Sequence, residues 1–161
     1  MGPGNRTSRR KGFSLIELVI VVVIIGIIGA IAIPRMSRGA AGASESALTG
    51  NLSVLRNAID LYATEHSGDF PTLATIEDQL TGYTDIHGNV NVNDERDPPY
   101  IYGPYLRSIP ALPVGSNRGE TGFAAAQGAE NAGWIYDEDT GHLEPNTEDE
   151  TDGSGVMFRD Y

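Results

Sequence analysis

Glu17 is the only charged side chain between Phe13 and Ile33. A carboxylate inside an apolar span costs at least about 2.5 kcal/mol near a bilayer centre and less toward one end, so something must offset it. In a membrane-stored form, reaching the interface beside the headgroups would do so. Just ahead stands Gly12-Phe13. A glycine there lets an extended backbone approach a catalytic site closely, because it carries no Cβ. Asp137, Glu138, Asp139, Asp149, Glu150 and Asp152 supply hard oxygen ligands, but neither acidic run has the twelve-residue spacing of an EF-hand. Such runs more often form solvated faces. His66, His87 and His142 lack paired zinc-ligand spacing, and cysteine is absent. With no Gly-x-Ser-x-Gly elbow and no phosphate-cradling glycine loop, the chain is expected not to be an enzyme.

The element that must carry Glu17 is apolar throughout. From Leu18 to Ile33 every residue is apolar or glycine, and the run reaches back through Ile16, Leu15 and Phe13. About twenty such residues suffice to cross a hydrocarbon core as a helix. A buried core helix of this length would keep a polar face, and none exists. A cleaved secretory signal would be shorter and would end in a small-x-small site, whereas this run closes with Ile33-Pro34-Arg35. Arg6, Arg9, Arg10 and Lys11 precede the run and only Arg35 and Arg38 follow it directly, which keeps the N-terminus cytoplasmic and sends residues 40–161 across. Gly26 and Gly29 permit close helix contact or simply sit tolerated in a membrane helix. With Pro34 they mark a stretch able to bend.

Charge is polarised along the 161 residues: the whole chain is at -11, and residues 40–161 alone are at -16. A surface that acidic repels phosphate, which speaks against nucleic acid as a partner.

Beyond Pro34, Leu48, Leu52, Leu55, Ile59 and Tyr62 recur at helical spacing, so residues 35–66 are read as an amphipathic continuation of the helix, with Gly68 as its C-terminal cap. Thr75 to Leu80 reads as a short helix capped by Thr75, with Asp78 at the third helical position. Residues 83–99 are turn-rich and irregular. Gly133-Trp134-Ile135-Tyr136 and His142-Leu143-Glu144 flank a glycine-containing turn, as a hairpin requires. Asn146 to Gly155 reads as a solvated, mobile acidic tract.

Lys11-Gly12-Phe13-Ser14-Leu15-Ile16-Glu17-Leu18 resembles the processing site of type IV prepilins and type II secretion pseudopilins. A basic leader, Gly before an aromatic, a carboxylate fifth from that aromatic, an apolar run and Pro34 all fall in register. Ala58-Ile59-Asp60-Leu61-Tyr62, Asp69-Phe70-Pro71-Thr72 and Tyr102-Gly103-Pro104-Tyr105-Leu106 are similar to the major, G-type pseudopilin, over pieces of residues 58–113. The resemblance implies an α+β, pilin-like fold: a long N-terminal helix, its first half transmembrane, packed on a small C-terminal antiparallel sheet. The corresponding organisation is a cytoplasmic leader 1–12, an assembly helix 13–34, its continuation 35–66, a small periplasmic α/β domain 67–146 and an acidic tail 147–161. It further implies cleavage between Gly12 and Phe13 by a prepilin peptidase, N-methylation of Phe13, and a Glu17 contact with a neighbour's Phe13 amine. Its partners would be itself, other pseudopilins and an inner-membrane assembly platform. Because such pseudopilins bind calcium in C-terminal loops, Asp137 and Asp139 become calcium candidates. A type IV pilin or minor pilin serving adhesion, motility or DNA uptake shares the same N-terminal pattern.

Overall fold

The structure is a computed structural model that describes residues 12–93 and 95–161, and of residues 31–40 the backbone alone. The basic cluster ahead of Gly12, and with it most of the expected leader, lies outside the described residues. Helix α1 runs Leu15–Glu65 and α2 Ile76–Thr81; strands β1 Gly122–Ala124, β2 Ala132–Tyr136 and β3 Leu143–Pro145 follow, then a 3₁₀ turn at Phe158–Asp160. The chain divides into two compact units, Met1–Ala40 and Ala41–Tyr161.

In the first unit, α1 carries Val and Ile on every side, and each large apolar side chain from Leu15 to Ile28 is exposed. Helix propensity is modest for such β-branched residues, so the segment depends on apolar surroundings that its own chain does not supply. Among the described residues no helix is long and apolar enough to cross a membrane. The described apolar side chains stop at Ala30, and Ile31, Ala32 and Ile33, which complete the run in the sequence, lie where only backbone is described.

In the second unit, the helical stripe becomes a core. Leu48, Leu52, Leu55, Ile59 and Tyr62 are all buried, and they pack with Ile76, Leu80, Leu112, Trp134, Tyr136, Leu143 and Phe158. The helix stops through a left-handed residue: Ser67 has φ 62°, and Gly68 N donates to Ala63 O at 2.8 Å. This is the six-to-one bond of a Schellman end, with Ser67 rather than Gly68 in the position next to the cap. Helix α2 begins at Ile76 with Thr75 at the cap position and Asp78 third, as the sequence signal has it. Thr75 makes no side-chain cap, since its hydroxyl bonds Thr72 Oγ1 at 2.7 Å. Buried Gln79 ties the region together instead, accepting from Thr72 N at 2.9 Å and donating to Gly88 O at 2.9 Å.

The sheet is mixed, in the order β1-β2-β3, and this corrects the antiparallel expectation. The β2–β3 hairpin is antiparallel as read from the sequence, pairing Trp134 with Pro145 and Tyr136 with Leu143. Its turn needs Gly141, at φ 71°, where an added Cβ would run into the Phe70 ring. Strand β1 lies parallel to β2, with a register shift between Gly122 and Phe123. Parallel neighbours ordinarily need a long crossover. Here the short connection is stapled by fully buried Asn146, which accepts from Gly128 N at 2.9 Å and donates to Ala129 O at 2.9 Å and Ala132 O at 2.7 Å.

Residues 147–161 are not a solvated tail. Thr147 is fully buried, Thr151 bridges to Met157, Phe158 enters the core, and Phe158 N donates to Glu150 O at 3.0 Å. Arg56 of α1 donates to Leu143 O at 2.9 Å and to the main-chain oxygen of Tyr161 at 3.2 Å. Several acids of this unit find main-chain donors. Glu138 accepts from Leu73 N (2.6 Å), Glu150 from Ser116 N (3.0 Å), and Asp152 from Ser154 N and Val156 N (2.7 and 2.9 Å). Asp85 likewise closes the turn at residues 85–89, accepting from His87 N at 2.8 Å and Asn89 N at 3.0 Å.

Candidate processing and assembly site

Gly12 and Phe13 precede the first turn of α1 in non-helical, exposed backbone, and the Phe13 side chain is 88% exposed. A Cβ at Gly12 would meet nothing within 4 Å, so the chain's own packing does not require glycine there. The same holds for Gly26 and Gly29. Helix α1 continues through Pro34, whose ring removes the bond to the carbonyl of Ala30.

Glu17 sits in the first turn, three residues after Ser14, and its Oε2 accepts from Ser14 N at 2.8 Å. This is the carboxylate half of a capping box, which satisfies an amide that the start of a helix leaves without a partner. The charge also lies at the positive end of the helix dipole. Phe13, Glu17, Leu18 and Val21 line one shallow hollow, which places the aromatic and the acid together on the helix surface. The signature Ser-x-x-Glu stands openly in the sequence as Ser14 to Glu17.

Asp137 and Asp139 do meet in the hairpin loop, but as a turn. Asp137 Oδ1 accepts from Asp139 N at 2.9 Å and Oδ2 from Thr140 Oγ1 at 2.8 Å. Those two bonds hold the Asp137 carboxyl below its usual range, the Thr140 hydroxyl contributing most. Among the described residues no group of three or more His, Asp or Glu is placed to hold a metal ion.

Residues absent from the candidate set form a second polar cluster. Buried His66 continues the α1 stripe one turn beyond Tyr62; its ring stacks on Tyr62 at 3.8 Å, with Nδ1 2.8 Å from Tyr62 O and Nε2 3.0 Å from Thr84 Oγ1. A carbonyl only accepts, so Nδ1 carries the proton. Tyr105 Oη donates to Glu65 Oε2 at 2.7 Å. Burial, then Asp69 and Asp85, push the Tyr62 phenol up to about 12, and burial with Glu65 raises Tyr105 further. Phenols so held stay protonated near neutral pH, which suits a packed joint between α1 and the loop at residues 100–106.

Residues 7–33 match the prokaryotic N-terminal methylation motif. That motif indicates a type IV pilin-like protein processed by a prepilin peptidase, and it contains Gly12, Phe13, Ser14 and Glu17 together. Neither a curated protein nor a solved structure matches the chain. The methylation motif is consistent with filament assembly and with a place at the cell-envelope membrane. It leaves the domain beyond residue 33 to be interpreted from its own geometry.

Proposed function

We propose that this chain is a structural subunit, and not an enzyme, of a type II secretion filament. The precursor is stored in the bacterial inner membrane as a single-pass protein with residues 40–161 in the periplasm. Prepilin peptidase cuts between Gly12 and Phe13, the new Phe13 amine is methylated, and an inner-membrane assembly platform adds the subunit to a fibre of its own kind and other pseudopilins. The observation that carries this reading is an α1 segment apolar and exposed on all sides, bearing the single carboxylate of Glu17 at its tip. Such a segment is stable only in lipid or among like helices. Head-to-tail contacts of that kind extend without closing. In the fibre, Glu17 faces the Phe13 amine of a neighbour in a dry core, where an ion pair has a strong Coulomb term. Glu17→Ala is expected to insert and be processed normally yet yield few filaments; filaments at wild-type yield would refute the pairing.

The methylation motif equally suits a type IV pilin or minor pilin. Deleting the gene separates the two: loss of an exported protein supports secretion, whereas loss of adhesion, motility or DNA uptake supports a pilus.

A further inference from the structure

In the chain as described, Gly12 is still attached, so the Phe13 nitrogen is an amide and no free amine exists for Glu17 to meet. The carboxylate is nevertheless engaged. Its Oε2 lies 2.8 Å from Ser14 N, while Leu18 N donates back to Ser14 O at 3.3 Å to begin the helix. The residue types fit the geometry: Ser at the position before the helix and Glu at its third residue is the pairing that closes a capping box.

We propose that the Ser14 amide is the resting partner of Glu17 in the precursor, before cleavage frees the Phe13 amine, an intrachain latch that the cation of a neighbouring copy must later displace. The second half of this inference rests on the filament reading above; the first half does not. The latch explains how an acid can persist at the edge of an apolar helix before any neighbour arrives, since the amide gives one of its oxygens a hydrogen-bond donor. It also sets a threshold. An incoming amine must better an existing hydrogen bond, so encounters with weaker donors leave the carboxylate where it is.

Glutamine separates the two partners, because it can accept from the Ser14 amide but carries no charge. The test is amide hydrogen exchange at Ser14, read by nuclear magnetic resonance on the full-length chain in detergent micelles, for wild type, Glu17→Gln and Glu17→Ala. Exchange is expected to be slow in wild type, to stay slow in Glu17→Gln, and to quicken about fivefold or more in Glu17→Ala, the scale of a lost cap. Unchanged exchange in Glu17→Ala overturns the latch. Equal acceleration in both variants also overturns it, since the carboxylate would then act only through its field. The filament yield of Glu17→Gln is measured alongside and is expected to fall to that of Glu17→Ala. Wild-type yield from Glu17→Gln would overturn the exchange of partners and the ion pair with it, while the filament reading would stand and the exchange data would still decide the resting contact.

Discussion

Asn146 offers the sharpest test of how the domain is held together. Its side chain is completely buried and bridges three main-chain groups of the β1–β2 connection: Gly128 N, Ala129 O and Ala132 O. The amide orientation is unambiguous, because two carbonyls face Nδ2 and one N–H faces Oδ1. Asn146→Ala removes all three bonds. Gly128 is exposed and Ala129 partly so, which lets water replace those two partners, but Ala132 is buried and its carbonyl is left bare. Two rehydrated bonds at about 0.5 to 1 kcal/mol each and one bare acceptor at about 1 to 3 kcal/mol sum to about 2–5 kcal/mol. For a domain of this size that is a fall in melting temperature of about 6–20 °C. Asn146→Asp should be worse than Ala, since it turns the donor into a charged acceptor facing two carbonyls. Urea denaturation of a fragment beginning at Ala41 measures both. A loss below about 1 kcal/mol in Asn146→Ala, or an Asp variant as stable as wild type, would refute the stapling account.

Mass spectrometry of the native protein is expected to find a chain that starts at methylated Phe13; an intact Met1 terminus would remove the processing claim. Tyr161 Oη and the amides of residues 154 and 156 hold the Asp152 carboxyl below its usual range, and the Asp137 turn does the same for its own. Carboxyls depressed on folding contribute stability that is complete above the unfolded value of about 3.9 and is lost as pH falls through the lower folded value. The urea midpoint should therefore drop below about pH 4, and Asp152→Asn should lower it at neutral pH while flattening the acid limb; an equally steep limb in that variant would count against the assignment. Calcium at millimolar concentration is expected to leave the melting temperature unmoved, because among the described residues no third carboxylate or histidine joins Asp137 and Asp139. A clear rise would restore Asp137 and Asp139 as ligands.

The helical stripe was readable because only one side of α1 meets the domain, so burial follows the helical period from Leu48 to Tyr62. His66 lies in phase with it, four residues on, and could have been added to the core by spacing alone. The hairpin was readable from its aromatic strand and Gly141 turn. Strand β1 was not: three residues cannot show alternation, and its parallel placement depends on Asn146, far along the chain. The last fifteen residues misled through composition. Net charge predicts solvation only when the acids lack local donors, and here Asp152 and Glu150 accept main-chain amides while Phe158 anchors the segment. At the N-terminus the motif is legible, and so is the capping pair in Ser14-x-x-Glu17, although one carboxylate serving both signals makes the local contact the less conspicuous of the two.

The way the acids are used has a consequence for the medium this domain tolerates. Among the described residues, Arg159 pairs with Asp149 at 3.3 Å, and His142 stands 3.7 Å from Glu144, an ion pair only when its imidazole is protonated; both contacts are largely in solvent. Hydrogen bonds from amides to carboxylates survive dissolved ions, whereas the mutual repulsion of an excess of negative charge is screened by them. Brine should therefore firm this domain rather than loosen it.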